Sequence, residues 1–349
     1  MEREISRLAS MIPHLCLWYE THRKPLPWRE DPTPYHVWLS EIMLQQTRIE
    51  AVIPYYHRFL YELPTVYDLA SVDDDRLMKL WQGLGYYSRV RNLKKAAIAI
   101  VNDFGGELPS DVCDLRSLPG IGDYTAGAIA SIAFGLPQPA VDGNVLRVIM
   151  RLCARHDDIM LPATKKAVTE ALLSVYPSGR DSRLLTEGMM ELGETVCIPN
   201  GAPRCEFCPI REFCQGYADG IAEKLPVRNA KKERRIEYRT VLLLHVGEKY
   251  ALHKRPPQGL LASLWEFPNL EGHILEDSLK DYLSSLGLSA VTISPIGNAK
   301  HIFSHVEWHL IGYRVECESQ ADAFAWGTSE EIHEQYAIPT AFRYFESLL

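Results

Sequence analysis

Residues 118–135, LPGIGDYTAGAIASIAFG, contain two glycines separated by one residue, directly after a proline and shortly before a run of small apolar residues. The apolar run predicts a helix, and Gly120 and Gly122 allow the backbone before it to turn tightly and to expose its amide groups. Amides at a helix N-terminus can bind a phosphate. A plain connection between two helices explains the same glycines, so this pattern alone leaves both interpretations open.

A second predicted helix carries an acidic residue. Pro32 and Pro34 stand where a helix commonly begins, and YHVWLSEIMLQQT follows with helical propensity. Glu41 then shares a helix face with Val37 and Leu44, where burial would raise the pKa of its carboxyl group. Such a carboxyl is a candidate general acid near neutral pH. The alternative is an exposed or salt-bridged glutamate at the rim of a helix.

A second carboxylate occurs in PAVDGNVLRVIMRL, where Asp142 is predicted to cap the next helix. The amides of Asn144 and Val145 and the helix dipole favour its ionised form. A cap without any further role is the alternative. Together with Glu41, however, Asp142 supplies two carboxyl groups whose surroundings push their pKa values apart, as the breaking of a glycosidic bond requires.

Four of the eight cysteines follow a C-x7-C-x2-C-x5-C pattern. They are Cys197, Cys205, Cys208 and Cys214. Eight cysteines are too few for a disulfide scaffold in a chain of 349 residues, so the crowding indicates a metal site. Four thiolates on a short loop can hold zinc or an iron–sulfur cluster, and the spacing alone does not decide between them.

Composition limits the classes of protein to which the chain can belong. The chain is 46% hydrophobic and 23% charged, which excludes disordered, collagen-like and coiled-coil proteins. Its net charge of −8 argues against non-specific coating of nucleic acid but leaves room for a local DNA-binding face. No stretch approaches the roughly 20 apolar residues of a membrane helix. We therefore expect a cytosolic protein, associated with the nucleoid if it is bacterial.

The chain divides at a basic segment. Residues 226–240 hold six basic and two acidic residues and are predicted to form a linker, either solvated or in contact with the DNA backbone. Before it, residues 1–225 show helical spacing, as in RLMKLWQGL. After it, residues 241–349 contain two strand pairs, VLLLHVGEKYALHKR and HIFSHVEWHLIGYRVE, around the helical EDSLKDYLSSLG. The prediction is a mainly α region followed by an α+β domain.

Five features, in their order and spacing, resemble the MutY-type adenine DNA glycosylases of the endonuclease III (helix-hairpin-helix) superfamily. They are LSEIMLQQT, WQGLGYYSR, LPGIGDYTA, VDGNV and the four cysteines. The resemblance covers nearly the whole chain. It implies a base excision repair enzyme that flips out adenine mispaired with 8-oxoguanine or guanine and hydrolyses its N-glycosidic bond.

The resemblance also implies an architecture. One helical lobe would span about 27–134, and a second would combine about 1–26 with 135–225 around a [4Fe–4S] cluster held by the four cysteines. Residues 241–349 would form a Nudix-like domain that recognises 8-oxoguanine. The first cysteine gap of the family is six residues, so the gap here is one longer, and Asn200–Gly201 can absorb the extra residue in a turn.

The same resemblance implies residue roles. Glu41 would protonate adenine and position water, Asp142 would stabilise the oxocarbenium-like sugar, and Tyr124 and Asn144 would support the charged centre. Other matched residues bind substrate: the purine-pocket residues Trp28, Arg29 and Glu187, the residues Gln46 and Tyr86 around the opened base stack, and the recognition loop Phe303, Ser304 and His305. Leu84 is a further expected substrate-binding residue. Gly120 and Gly122 would contact the DNA backbone.

Residues 303–305 also have an interpretation that does not depend on the family. A hairpin loop of this composition is explained by ordinary turn chemistry. The hydroxyl of Ser304 and the ring of His305 can nevertheless donate and accept hydrogen bonds. They would suit the N7–H donor of 8-oxoguanine, which guanine lacks.

Three other functions compete. An endonuclease III-like enzyme acting on oxidised pyrimidines needs a lysine two residues after the second glycine of the turn, and Tyr124 stands at that position. Because tyrosine cannot form an imine, we predict a monofunctional enzyme with at most weak lyase activity. A DNA-binding sensor would leave the pairing of Glu41 with Asp142 unexplained. A Nudix pyrophosphatase needs a helix with several glutamates for Mg²⁺, which EDSLKDYLSSLG lacks.

The expected partner is double-stranded DNA containing an adenine:8-oxoguanine mispair. Replication or mismatch-repair proteins are further candidates, and no membrane partner is expected. Because one lesion is asymmetric, we expect a monomer.

Overall fold

A computed structural model describes residues 2–228 and 234–349. The chain folds into two units. Unit 1 combines Met1–Ser71 with Asn92–Ala230, and unit 2 combines Val72–Arg91 with Lys231–Leu349. The described residues contain no helix that is both long and apolar enough to cross a membrane.

Helices occur in both units, and those of the described residues are numbered in chain order. They are α1 (Glu2–His22), α2 (Pro27–Glu30), α3 (Pro34–Leu44), α4 (Ile49–Glu62), α5 (Val66–Ser71), α6 (Asp74–Trp81), α7 (Ser88–Asp103), α8 (Val112–Ser117), α9 (Asp123–Ile132), α10 (Gly143–Leu152), α11 (Pro162–Leu173), α12 (Arg180–Thr195), α13 (Gln215–Ala218), α14 (Glu276–Ser285), α15 (Ser329–Gln335) and α16 (Arg343–Glu346). Short 3₁₀ turns occur at Cys205–Phe207, Arg211–Phe213, Ala222–Lys224 and Thr340–Phe342.

Helix α3 lies in the interior of unit 1. It begins at Pro34, and the side chain of Thr33 accepts a hydrogen bond from the backbone N–H of His36 at 3.3 Å. Apart from His36, every residue from Tyr35 to Met43 is buried. A helix that is buried nearly all round is a core helix, so the polar side chains of Ser40 and Glu41 are removed from bulk water.

A second core of unit 1 forms where α1, α10, α11 and α12 pack together. Its fully buried members include Met11 and Leu15 of α1, Ile149 of α10 and Leu192 of α12. Three of the clustered cysteines pack against its edge, namely Cys197, Cys208 and Cys214. The cysteine-rich segment is therefore supported by helices from both ends of the helical region.

Unit 2 contains a mixed sheet with the strand order β3-β2-β1-β6-β5. The strands are β1 (Arg235–Val246), β2 (Lys249–Lys254), β3 (Trp265–Glu266), β4 (Asn269–Glu271), β5 (Ala290–Ile302), β6 (Val306–Cys317) and β7 (Ala325–Thr328). Strands β1 and β6 run parallel, β5 and β6 form an antiparallel hairpin, and β4 and β7 pair with β1 and β2.

The two faces of this sheet are both covered. Val241 and Leu243 join one buried cluster, and Leu242 and Leu244 join another on the opposite face, as the two-residue period of a strand requires. This explains the uninterrupted apolar run in β1. The predicted α+β fold of the C-terminal part is confirmed.

The basic linker predicted for 226–240 is shorter than the sequence suggests. Residues 229–233 lie outside the described residues, but Arg235–Thr240 belong to β1, which pairs with β6 from Arg235 onward. The guanidinium of Arg239 donates to Asn269 Oδ1 at 2.8 Å and lies 4.6 Å from the centre of the Trp308 ring. The last basic side chain of the segment, Arg239, therefore packs on the sheet and does not belong to a solvated connector.

The segment Val72–Arg91, which the sequence places in the first helical lobe, groups with unit 2. Its side chains account for this: Lys79 Nζ donates to the carbonyl oxygen of Tyr336 at 3.0 Å, and Gln82 Nε2 donates to that of Ile338 at 3.1 Å. These partners are more than 250 positions away in the chain, so no local pattern reveals them.

Candidate active site

Glu41 lies on the buried helix α3 with only 6% of its surface exposed. Burial raises the pKa of its carboxyl group from 4.5 to about 7. This value already includes charge repulsion from Asp142 and Glu187, which raises the pKa, and the Tyr124 hydroxyl and the Arg29 guanidinium, which lower it. Glu41 is therefore a carboxylic acid that is substantially protonated near neutral pH.

Asp142 caps helix α10. Its carboxylate accepts hydrogen bonds from the backbone N–H of Val145 at 2.8 Å and from Asn144 Nδ2 at 2.9 Å. These donors lower the pKa of Asp142, but burial raises it more, so the net shift is upward. The amides and the helix N-terminus do favour the ionised form of Asp142, as the sequence analysis expects, but removal from water outweighs them.

The two carboxyl groups face one cavity of about 460 Å³. Every residue predicted for catalysis and for the purine pocket lines it: Trp28, Arg29, Glu41, Tyr124, Asp142, Asn144 and Glu187. The volume falls within the range of about 300–1,000 Å³ that is typical of ligand sites. Burial also raises the pKa of Tyr124 well above its usual value, so its phenol stays neutral.

Arg183 and Glu191, two charged residues that the sequence analysis missed, hold the pocket residues in place. Arg29 Nη1 donates to Glu191 Oε2 at 2.9 Å. Arg183 donates through Nε to Glu187 Oε2 at 3.0 Å and through Nη2 to the backbone oxygen of Arg29 at 2.9 Å. Arg183, Glu187 and Glu191 recur every fourth residue of α12, and this spacing on one helix face was the available signal.

Arg147 is another residue that the sequence analysis missed. Its guanidinium donates to Asn144 Oδ1 at 2.9 Å, to the Gly193 carbonyl at 2.6 Å and to the Cys197 carbonyl at 2.7 Å. A Cβ at Gly193 would lie 2.8 Å from the Cβ of Asn144, so glycine permits this close approach of α12 to α10. With its oxygen held by Arg147, the Asn144 amide directs its N–H toward Asp142.

The four clustered cysteines line one small cavity. Arg151 Nη1 donates to the sulfur of Cys197 at 3.3 Å. In the parts of the chain that the structure describes, no three His, Cys, Asp or Glu side chains are arranged around a single metal ion. Four thiols around one small cavity are a donor set that suits an iron–sulfur cluster and suits zinc as well.

The two glycines of the 118–135 segment behave differently. Gly120 has a left-handed φ of 81°, and a Cβ there would lie 2.7 Å from Asn92 Cβ. Gly122 has an extended backbone and caps α9, with nothing within 4 Å of its missing Cβ. Only Gly120 needs the conformational freedom of glycine, whereas Gly122 leaves the start of α9 open.

Two residues predicted to enter the base stack have unusual backbones. Gln46 in unit 1 and Tyr86 in unit 2 adopt φ values of 57° and 48°, a left-handed conformation that costs roughly 1–3 kcal/mol for a residue with a side chain. Gln46 is exposed, and the Tyr86 side chain is 46% exposed. Leu84 is only 6% exposed, so its side chain packs inside and does not present a substrate-binding surface in this structure.

The predicted recognition loop connects β5 to β6. Its turn closes with a hydrogen bond from the Phe303 N–H to the Val306 carbonyl at 2.8 Å. The Tyr86 hydroxyl lies 3.1 Å from Ser304 Oγ. Both residues, with Phe303 and His305, line a cavity of about 300 Å³ within unit 2.

The helical fold, the two buried carboxyl groups and the cysteine loop define a base excision glycosylase of the helix-hairpin-helix class. The family model described as "HhH-GPD superfamily base excision DNA repair protein" matches residues 39–178, and a "NUDIX domain" model matches residues 239–346. A solved structure titled as a thermostable thymine-DNA glycosylase aligns with a TM-score of 0.56 and 28% identity, covering 61% of this chain and 98% of that chain.

Curated relatives narrow the class. Adenine DNA glycosylase of Mus musculus is 32% identical over 404 aligned residues, which cover 97% of this chain and 78% of the relative. Adenine DNA glycosylase of Buchnera aphidicola subsp. Acyrthosiphon pisum is 32% identical over 294 aligned residues, which cover 84% of this chain and 83% of the relative. The chain belongs to the MutY-type adenine DNA glycosylases, enzymes of base excision repair.

Proposed function

We propose that this adenine DNA glycosylase removes adenine mispaired with 8-oxoguanine, or with guanine, after flipping the adenine out of the duplex, and that it leaves the DNA strand intact. One observation carries the proposal: a glutamic acid with a pKa of about 7 shares a cavity with Asp142, Tyr124 and the residues matched to the purine pocket.

The two carboxyl groups divide the reaction between them. Protonated Glu41 donates its proton to a ring nitrogen of the flipped adenine, which makes the base a better leaving group. As the bond from C1′ to the base breaks, positive charge develops on the sugar, and the Asp142 carboxylate stabilises it. The base leaves as neutral adenine because it carries the proton from Glu41. Water then adds to C1′ and gives its proton to Glu41, so that the acid is restored.

The other pocket groups hold the base rather than react with it. The Glu187 carboxylate and the Arg29 guanidinium supply hydrogen-bonding groups for the edge of a purine, and Trp28 supplies an aromatic surface. Glu187 and Arg29 are fixed by ion pairs with Arg183 and Glu191. Such groups bind in a set geometry, which favours one base over others.

Tyr124 supports the proposal that the enzyme leaves the DNA strand intact. An imine with the sugar needs a neutral amine, and a phenol cannot supply one. The sequence has no lysine between Lys95 and Lys165. An endonuclease III-like enzyme acting on oxidised pyrimidines is therefore the weaker candidate, and we expect at most weak lyase activity here.

Recognition of the opposite base is assigned to unit 2. The Tyr86 and Ser304 hydroxyls lie together at a cavity, and Ser304 can accept a hydrogen bond from N7–H of 8-oxoguanine, a donor that guanine lacks. His305 on the same loop can accept or donate a second bond. Exposed Gln46 of unit 1 would fill the space that the flipped adenine leaves.

The remaining elements bind DNA and support the fold. The amides at Gly120 and Gly122 would contact the DNA backbone without reading sequence. Cys197, Cys205, Cys208 and Cys214 would hold a [4Fe–4S] cluster, which when bound supplies a cross-link that fixes the loop. Contacts with replication or mismatch-repair proteins and a monomeric state stay predictions.

The test uses end-labelled duplexes containing adenine opposite 8-oxoguanine, guanine or thymine, and one duplex containing thymine glycol. Each reaction is analysed with and without alkali. The proposal predicts breaks only after alkali, at the adenine opposite 8-oxoguanine and more slowly at the adenine opposite guanine. Breaks without alkali at thymine glycol would instead select the endonuclease III-like chemistry and overturn the role given to Tyr124.

A further inference from the structure

The loop before α7 holds its exposed aromatic residue in a strained backbone. Gly83 and Gly85 have φ values of 102° and 70°, and Tyr86 continues the left-handed run at 48°. Glycine tolerates this conformation, whereas tyrosine adopts it at a cost. The Tyr86 side chain is nevertheless directed outward, while Tyr87, its neighbour, is buried. Surrounding contacts must therefore impose the conformation of Tyr86.

A single buried side chain makes several of these contacts. Arg89 is 8% exposed, and its Nη2 donates to the carbonyl oxygens of Leu84 at 3.0 Å and Gly85 at 3.1 Å. Its backbone N–H donates to the Tyr86 carbonyl at 2.9 Å. The Arg89 side chain therefore fixes the two peptides that precede Tyr86, and its main chain fixes the peptide that follows.

The Arg89 guanidinium also lies over two aromatic rings. Its central carbon is 5.2 Å from the centre of the Trp81 ring and 5.5 Å from that of the Tyr86 ring. Trp81 Nε1 donates to the Gly85 carbonyl at 3.0 Å, so this carbonyl is held from two sides. The planar, forked guanidinium of arginine stacks on rings and presents its donors to adjacent carbonyls in a fixed geometry, which the compact ammonium group on the flexible lysine stem does not reproduce.

Burying this cation is costly. Removal from water lowers the pKa of Arg89 to about 10. The two carbonyl oxygens that its Nη2 binds belong to the loop itself, so part of this cost is recovered only when the loop adopts the observed conformation. A buried guanidinium bonded to the peptides at the base of a strained, exposed aromatic residue indicates a positioning role.

We propose that Arg89 is a positioning residue that holds Tyr86 in the conformation needed to enter the base stack beside the mispair. The inference rests on the proposed function, in which Tyr86 contacts the opened duplex. Without the guanidinium, the loop relaxes toward ordinary backbone angles, and the Tyr86 ring moves from its place beside Ser304. The damage would lie in opening the duplex, not in the chemistry at Glu41.

The test compares Arg89→Lys, Arg89→Gln, Tyr86→Ala and the double variant Tyr86→Ala/Arg89→Gln. Lys95→Gln is the control, since it removes one positive charge from an exposed position of the same helix. Single-turnover adenine excision opposite 8-oxoguanine should slow by about tenfold or more in each single variant. The double variant should be no slower than the slower single variant, because Arg89 acts through Tyr86. If the rate losses of the two single variants multiply in the double variant, the inference is overturned.

A fluorescent duplex separates positioning from general destabilisation. 2-Aminopurine is placed next to 8-oxoguanine, and all proteins carry Glu41→Gln so that the substrate is not consumed. Insertion of Tyr86 unstacks the probe and raises its fluorescence, and Arg89→Lys should abolish the rise while the unfolding temperature and the duplex affinity stay near those of the control. An unchanged rise would overturn the inference.

The proposed function and the role of Arg89 fail in distinguishable ways. If the unaltered protein excises no adenine opposite 8-oxoguanine, the proposed function and this inference fall together. If it does excise adenine and the Arg89 variants match Lys95→Gln, only the inference falls.

Discussion

The Tyr86 hydroxyl lies 3.1 Å from the Ser304 hydroxyl oxygen, which joins a loop of the helical sequence to a hairpin 218 positions later. The two residues bring the aromatic ring predicted to enter the duplex next to the side chain predicted to read the opposite base. Within unit 2, opening of the base stack and recognition of the lesion are therefore assigned to adjacent groups.

We predict that Ser304→Ala weakens the preference for 8-oxoguanine over guanine. The variant loses one neutral hydrogen bond to N7–H, so the ratio of excision rates for the two mispairs should fall roughly three- to tenfold. Ser284→Ala, at an exposed position of α14, is the control. Single-turnover rates on both duplexes measure the ratio. An unchanged ratio would show that Ser304 does not read the lesion.

The excision rate should depend on pH through Glu41. Because the protonated carboxyl acts as the acid and its pKa is raised to about 7, the rate should fall as pH rises through this value. Well above it, the slope should approach about tenfold per pH unit. At low pH, protonation of Asp142 should also reduce the rate. A single-turnover rate that stays level between about pH 6 and pH 9 would rule out this acid.

Glu41→Gln should stabilise the folded protein above neutral pH. The folded-state pKa of about 7 exceeds the ordinary 4.5, so the contribution of Glu41 to stability is fully present below pH 4.5 and is lost as pH rises through 7. The loss is on the order of 3 kcal/mol, and the Glu41→Gln variant avoids it because glutamine does not ionise. Unfolding temperatures at acidic and alkaline pH measure the difference, with exposed Glu107→Gln as the control. A variant that is less stable at alkaline pH would contradict the burial argument.

Gly216→Ala should impair cluster binding. A Cβ there would lie 2.5 Å from the backbone oxygen of Arg151, so α13 must move away from α10 and carry Cys214 with it. Iron per chain and the visible absorbance of the purified protein should both fall. Ala218→Ser, at an exposed position of the same helix, should keep both values. Equal iron content in the two variants would show that this close approach does not position the cysteine ligand.

Local patterns predicted much of the site. The start of α3 at Pro34, the buried acid at Glu41 and the cap at Asp142 each depend on residues within one or two helical turns, so short segments identify them. The four cysteines were found for the same reason. The strands of unit 2 followed from their alternating and continuous apolar runs.

Features that depend on distant partners were not predictable. The upward pKa shift of Asp142 comes from what covers it, and local donors pointed the other way. Arg147 looks like an ordinary charged helix residue until the cysteine loop is placed beside it, and the spacing of Arg183 on α12 does not reveal its bond to the backbone of α2. The start of β1 at Arg235 depends on pairing with β6, which lies about seventy residues later.

The role of Glu41 as the acid is tested most directly by the rate at which Glu41→Gln releases adenine. The single-turnover rate is measured at saturating protein on a duplex with adenine opposite 8-oxoguanine. The unaltered enzyme and Glu107→Gln are measured beside it. We predict a loss of about 10²- to 10⁴-fold with duplex affinity retained, because glutamine cannot donate the proton. A Glu41→Gln rate within a few-fold of the control would contradict the assignment of Glu41 as the acid.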